Sequence, residues 1–370
     1  MPLFRPAPIR LQPYFGYRSR SRFKLQARAL RQPQRSFEPG GRVRAMRTML
    51  AQFASREVEG LPVTLKVERR GGSPLVAEAV SDREGFVHFD LPLEPAWELP
   101  EHPAWEIAEL SFLGPDGPQR FVAHVLAPGL DSRLAVISDI DDTIIETGIT
   151  GGWRSLARNW PRLLAQLPGE RQAVPGADTF YDALAGVEIL PQDDPLLEKR
   201  VTATHRPFFY VSSSPWNLFA YLVAFQHAKG LPLGPILLRD WGLDRATLGS
   251  ASHGLHKRGA INAILAMYPD LRFALIGDDT QGDLPAFAEA VEAFPGRIAA
   301  VFLRMVAGEA LSLAEEEACA TIRGAGVALW LGDSFAVGEQ FLHALGFTPG
   351  GETEQIVKAV EKAGVAGKRG

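Results

Sequence analysis

The sequence predicts two units in series: a small β-sandwich in the front third, then an α/β unit built on a doubly wound parallel sheet. Three observations predict this. The chain has 370 residues, long for a single hydrophobic core. Up to about residue 130, short segments alternate apolar and polar residues with a period of two. From Leu134 onward, short apolar runs alternate with longer helical patterns, the signature of strand–helix–strand units with helices on both faces of the sheet.

In the front third, residues 22–30 and 61–69 carry the alternation most plainly, and 77–80, 85–91, 104–112 and 120–126 repeat it. Gly-Gly-Ser-Pro at 71–74 and Gly-Pro-Asp-Gly at 114–117 are turn formers, and 82–86 is a turn into a strand. Residues 46–55 interrupt with a helical pattern. Close spacing of short strands predicts a sandwich. No catalytic pattern lies here, so this unit is expected to be structural or a docking module. The expected boundaries are a basic arm at 1–20, the sandwich at 21–130, the α/β unit at 131–348 and a frayed tail at 349–370.

The α/β unit reads as strand 134–138, helix 175–185, strand 207–211, helix 216–229, strand 235–238 and helix 256–267. Strand 272–276, helix 284–293, strands 298–303 and 327–331, and a closing helix 334–345 follow. In such sheets ligands bind at the carboxyl ends of the strands.

Composition narrows the class without naming it. Hydrophobic residues make up 46% and charged residues 22%, ordinary for a globular chain. The net charge of -4 hides a polarised start: Met1 to Phe37 has no acid but carries Arg5, Arg10, Arg18, Arg20, Arg22, Lys24, Arg28, Arg31 and Arg35. Such a run reads as a solvated arm; its other reading is attraction to an anionic membrane surface or nucleic acid, and no nucleic-acid partner is expected. The one cysteine, Cys319, excludes a multi-cysteine zinc site and reads as a small core residue in a helix. No signal-peptide pattern and no apolar stretch of about 20 residues is present, so a cytoplasmic protein with at most peripheral membrane contact is expected.

The chemistry-bearing signal is Val136-Ile-Ser-Asp139-Ile-Asp141-Asp142-Thr143, an apolar strand running into three carboxylates. Side chains alternate along a strand, so Asp139 and Asp141 share a side where it ends. Carboxylates held that close repel, and a hard divalent cation such as Mg²⁺ relieves the repulsion. An EF-hand loop does not fit, because Ile144 and Thr150 stand where Gly and Glu are needed. Three later segments add to the pair: Ser212 past the apolar run 208–211, Lys257 at the start of the helix from His256, and Gly277-Asp278-Asp279-Thr-Gln-Gly-Asp283 past the run 273–276. Taken singly, Ser212 reads as a cap, Lys257 as a surface charge and Asp283 as a helix N-cap. Taken together and in this order, they read as one site.

That order resembles the four motifs of the haloacid dehalogenase (HAD) superfamily of phosphatases. The strings Ile137-Ser-Asp-Ile-Asp-Asp-Thr-Ile, Tyr210-Val-Ser-Ser-Ser-Pro-Trp-Asn-Leu, Gly234-Pro-Ile-Leu-Leu-Arg-Asp-Trp-Gly, His256-Lys and Pro295-Gly-Arg-Ile narrow it to the actin-patch-type phosphatidate phosphatases and their bacterial relatives. The resemblance covers about 135–304 in motif detail, and more loosely the β-rich front. It implies a HAD-like, Rossmann-like sheet with Asp139 as nucleophile and Asp141 as general acid and base. It implies Thr143, Ser212 and Lys257 on the phosphoryl group. Mg²⁺ would be held by Asp139, the Asp141 carbonyl and Asp278, with Asp279 or Asp283 supporting its water shell. The fourth motif departs from relatives, which usually have Gly-Asp-Ser and a charged loop, but both outer aspartates are kept. Only 146–174 separates the first motif from the next helix, too short for a large cap. That segment holds Trp153, Trp160, Arg154, Arg158 and Arg162 on a helical pattern at 153–167, read either as a packed amphipathic helix or as a face for anionic headgroups. The implied substrate is a phospholipid, phosphatidate, with another bulky phosphomonoester as the alternative; protein partners stay unassigned.

Two readings of other classes exist. Gly332-Asp-Ser334-Phe-Ala336 approaches a serine-hydrolase elbow, but Ala336 replaces its second glycine and His343 is the only histidine that follows. A non-catalytic scaffold on a relict phosphatase fold would be expected to have lost an aspartate or the lysine, and this chain keeps them all.

Overall fold

The computed structural model describes residues 7–31, 56–69, 71–115, 117–140, 143, 173–174, 176–186, 188–189, 203–239, 250–279, 282–306 and 310–335. Asp141, Asp142, the helical patterns expected at 46–55 and 153–167, the closing helix beyond Phe335 and the tail lie outside the described residues.

The front region is one nine-stranded sheet: β1 (Ile9–Pro13), β2 (Gly16–Arg18), β3 (Arg22–Arg31), β4 (Arg56–Glu57), β5 (Pro62–Val67), β6 (Leu75–Val80), β7 (Phe86–Pro92), β8 (Ala104–Gly114) and β9 (Gly117–Ala127). β3 is its hub, pairing antiparallel with β1, β2, β4 and β7, and β2 runs parallel to β9. The period-two pattern does what it predicts. Phe23, Leu25, Ala27 and Ala29 of β3, Val63, Leu65 and Val67 of β5, and Leu110 and Phe112 of β8 all enter one buried cluster.

The basic arm expected at 1–20 is corrected here, because β1 and β2 lie inside it. Its apolar residues are core: Leu11, Tyr14 and Tyr17 are buried. Its arginines find distant acids that a local charge count does not see. Arg18 donates Nε and Nη2 to the Glu106 carboxylate, each at 2.5 Å, and beyond the arm Arg28 of β3 donates Nη2 to Glu57 at 3.2 Å.

The second region contains β10 (Leu134–Asp139), α1 (Ala177–Ala185), a short antiparallel pair β11 (Glu188–Ile189) and β12 (Ala203–Thr204), and β13 (Phe208–Pro215). A 3₁₀ turn (Trp216–Leu218), α2 (Phe219–Ala228), β14 (Ile236–Arg239), α3 (Ser250–Met267) and β15 (Arg272–Asp278) follow. The region continues with α4 (Asp283–Ala293), β16 (Ile298–Arg304), α5 (Leu313–Gly324) and β17 (Ala328–Gly332). The sheet order is β14-β13-β10-β15-β16-β17, with every pairing parallel. Counted among the six strands of this sheet alone, the order is 3-2-1-4-5-6, a doubly wound, Rossmann-like order that reverses direction at β10.

Alternate residues of the central strands feed two cores. Val136, Phe208, Tyr210 and Ile276 pack with α1 and α2 on one face. Ile137, Phe209, Phe273 and Leu275 pack with α3, α4 and α5 on the other. Runs apolar at every position are therefore the right composition for strands buried on both faces. The front sheet reaches into both cores, Tyr14 and Phe86 into the first and Tyr17, Trp105 and Leu126 into the second. Among the described residues, no helix is long and apolar enough to cross a membrane.

Candidate active site

β10 and β15 are adjacent and parallel, with Ser138 opposite Ile276, so Asp139 and Asp278 emerge side by side at the carboxyl ends of the two strands at the switch point. Thr143, just past β10, donates Oγ1 to Asp278 Oδ2 at 2.9 Å and lies 3.4 Å from Asp139 Oδ2. One hydroxyl thus spans the two carboxylates. Asp283, in the first turn of α4, folds back beneath them: its Oδ2 accepts the backbone N–H of Asp278 at 3.1 Å.

That return needs Gly277. A Cβ there would lie 2.5 Å from Asp283 Oδ2 and 2.8 Å from Asp283 Cγ, contacts no side chain tolerates. An isolated glycine inside an apolar strand pattern is the sequence signal for such a close approach.

Lys257 closes the arrangement from α3. Its Nζ donates to Asp283 Oδ1 at 2.5 Å and sits 3.1 Å from Asp139 Oδ1. The expectation that His256 opens the helix is corrected: α3 begins at Ser250, so Lys257 stands two turns inside it. Gly254 reads as a breaker, but the roughly 1 kcal/mol that glycine costs a helix interior is small beside the packing of α3 on the sheet.

Asp139, Asp278 and Asp283 offer one oxygen each, all within 4.8 Å of one another, and all three residues are buried. Burial by itself lowers the pKa of Lys257; the facing carboxylates of Asp139, Asp283 and Asp278 outweigh it and hold the ammonium well above its ordinary range. Three carboxylates against one ammonium leave an excess of two negative charges in a buried place, which is costly without a counter-charge. An all-oxygen donor set with that excess fits a hard divalent cation.

Asp279 does not join the triad. Successive residues point to opposite sides of a strand, and its Oδ1 accepts the backbone N–H of Val306 at 2.7 Å, beyond the end of β16. Ser212 is buried inside β13, which runs on to Pro215 with a register irregularity after Ser212; its Oγ accepts the N–H of Ser214 at 3.0 Å. Asp141, the expected acid, lies outside the described residues. Sequence reading missed a chain behind Asp139: Ser138 donates Oγ to the Asp139 carbonyl at 2.7 Å, and its Oγ lies 2.6 Å from the Tyr181 hydroxyl of α1. Burial pushes the Tyr181 pKa far up, so the phenol stays protonated and donates to Ser138. Ser334 follows β17, the sheet edge, three places from β10, and has no part in this cluster. Cys319 is buried in α5 among apolar neighbours, as a core residue.

Residues 134–305 match the family model described as the catalytic domain of phosphatidate phosphatase APP1. Two curated relatives match the chain. Phosphatidate phosphatase APP1 of Saccharomyces cerevisiae is 31% identical over 186 residues, covering 50% of this chain and 28% of that protein. An uncharacterized protein of Schizosaccharomyces pombe is 29% identical over 182 residues, covering 48% of this chain and 26% of that protein. The chain thus spans less than a third of the length of these relatives. Against solved structures, a β-glucuronidase of Bacteroides uniformis covers 80% of this chain and 36% of its own at a TM-score of 0.24 and 10% identity, too slight a likeness to bear on fold or chemistry.

What the match names is a catalytic domain of the phosphoric monoester hydrolase class. The region from 134 to 305 is thus similar to the APP1 catalytic domain, the same family that its motifs resemble.

Proposed function

We propose that this chain is a Mg²⁺-dependent phosphatidate phosphatase that releases diacylglycerol and phosphate through an aspartyl-phosphate on Asp139. The observation that carries the reading is the buried network at the switch point, Thr143 on Asp278 and Lys257 between Asp139 and Asp283. Phosphoryl transfer needs chiefly positioning and charge stabilisation, and this network supplies both.

In the first half-reaction an Asp139 carboxylate oxygen attacks phosphorus as the bond to the lipid alkoxide breaks, and Asp141 donates the proton that the alkoxide takes up. In the second, Asp141 removes a proton from water, whose oxygen displaces Asp139 from phosphorus. Lys257, Thr143 and Ser212 hold and neutralise the phosphoryl oxygens. Mg²⁺ when bound supplies charge neutralisation across phosphate and carboxylates. Asp139 and Asp278 suit direct ligation. Both oxygens of Asp283 are already engaged, by Lys257 and by the Asp278 amide, which suits an orienting role in the outer shell.

Phosphatidate is the favoured substrate because of the family and because the spacing leaves no room for a large cap over the site. The test is a Mg²⁺-dependent phosphate-release screen comparing phosphatidate vesicles with soluble phosphomonoesters and phosphopeptides. Release from the soluble substrates alone removes the lipid while leaving the chemistry; no release from any removes both.

A further inference from the structure

The segment that carries Ser212 is pinned from outside its own sheet. β13 loses regular register after Ser212, and its continuation Ser213-Ser214-Pro215 runs into Trp216 and Asn217. Both of those residues are held by the front sheet. The Tyr14 ring lies 4.5 Å from the Trp216 ring and the Phe86 ring 5.6 Å from it, centroid to centroid. Arg28, buried in the middle of β3, donates Nη1 to Asn217 Oδ1 at 2.6 Å. Its other nitrogens are committed within the front sheet, Nε to the Glu84 carbonyl at 2.9 Å and Nη2 to Glu57 at 3.2 Å, and its guanidinium lies over the Phe86 ring. A guanidinium with three fixed partners is a rigid strut, and a guanidinium only donates, so the acceptor on Asn217 is its oxygen.

We propose that Arg28, acting with Tyr14 and Phe86 through Asn217 and Trp216, is a positioning residue for the Ser212–Pro215 segment, so that the front sheet sets the phosphoryl-binding geometry of the α/β region. The inference rests on the phosphatase reading of Ser212. It gives the β-rich region a task beyond docking. Two segments distant in sequence meet there: Arg28 and Asn217 are separated by 189 positions. A displacement of the hydroxyl by about 1 Å is enough to cost on the order of 10²-fold in rate, so a strut a few residues away matters.

The experiment uses the full chain. Asn217→Ala, Arg28→Met and Arg28→Lys are compared with wild type and Asp139→Asn in Mg²⁺-dependent phosphate release from phosphatidate in mixed micelles, with kcat and KM determined separately. Hydrogen exchange is followed at 208–218 and thermal melts are recorded. Expected are a kcat lowered by about tenfold or more in Asn217→Ala and Arg28→Met with KM little changed, and a double variant no worse than either single one. Exchange should rise at 208–218 while β5 and β8 stay protected, and Arg28→Lys should recover part of the rate. Wild-type kcat in both Asn217→Ala and Arg28→Met, with Asp139→Asn inactive, overturns the proposal and leaves the phosphatase reading standing. A wild type that releases no phosphate from any substrate overturns the phosphatase reading, and this inference with it. Where Arg28→Met fails to fold, Asn217→Ala, which removes the carboxamide and leaves Arg28 and its other partners in place, decides by the same readouts.

Discussion

Lys257 Nζ lies 3.1 Å from Asp139 Oδ1, an ion contact that joins the middle of α3 to the carboxyl end of β10 in a buried place. The contact has an electrostatic consequence. Lys257→Met leaves three buried carboxylates facing one another, and breaking a buried pair of this kind costs about 3–5 kcal/mol. Urea melts with and without Mg²⁺ check this. The variant is expected to lose turnover, to melt well below wild type in chelator, and to recover part of the difference when Mg²⁺ is added. A chelated variant as stable as wild type would mean that the lysine does not offset the acids.

Asp139→Asn is expected to lower turnover by about 10⁴-fold or more, the scale on which removing a nucleophile acts. Its stability in chelator should not fall, because one excess negative charge is removed. Asp141→Asn should be inactive as well. Near-normal phosphate release by purified Asp139→Asn sinks the nucleophile assignment.

Mg²⁺ should raise the melting temperature of the chelated protein as its concentration rises, by linkage worth about 2.7 kcal/mol at a hundred times the dissociation constant. Asp278→Asn removes an oxygen donor from the triad and should flatten that titration. A dependence on Mg²⁺ preserved in Asp278→Asn places the cation elsewhere.

Gly277→Ala puts a methyl group 2.5 Å from Asp283 Oδ2. Overpacking of this sort costs about 1–3 kcal/mol. Because the displaced carboxylate also holds Lys257 and the Asp278 amide, turnover should fall by about 10²-fold. Unchanged kinetics would show that Asp283 can shift without disturbing the site.

Stability should also respond to pH at a histidine pair away from the site. His102 donates to Asp131 Oδ2 at 2.7 Å, which raises its pKa, with Glu101 adding to the effect. His205, 3.7 Å from the same oxygen, has its pKa lowered by burial, opposed by Asp131 and reinforced by Arg206 and His102. A raised pKa gives stability that is full below the unfolded value of 6.5 and is lost as pH rises through the folded one. A lowered histidine pKa acts oppositely, withdrawing stability as pH falls below 6.5. Melts at about pH 5 and about pH 8 separate them: His102→Gln should lower the melting temperature chiefly at the acid end, and His205→Gln should raise it there.

Much of the site was legible because strands buried on both faces must be apolar throughout, so the acids that end β10 and β15 stand out. Lys257 was legible as a member of an ordered set and meets the carboxylates, while Ser212, read in the same set, lies inside β13 with its Oγ accepting from the Ser214 amide. Asp279 was not separable from Asp278 and Asp283 on the chain, since a turn of unknown geometry follows β15; only the folded strand shows Asp279 turned to Val306. Tyr181, Arg28 and Asn217 left no signal, because each acts through a partner far away in sequence.

The sequence by itself determined the alternation of the six parallel strands with helices, the two-faced burial of those strands and the identity of the chemical groups, because these follow from local periodicity and residue type. Tertiary structure alone decided the 3-2-1-4-5-6 strand order that sets Asp139 beside Asp278, and the use of the arginine-rich start as strands of the front sheet. The physical reason is the same in both cases. Charge neutralisation and packing depend on distance in space, and β10 meets β15, as Arg28 meets Asn217, only after the chain has closed long loops.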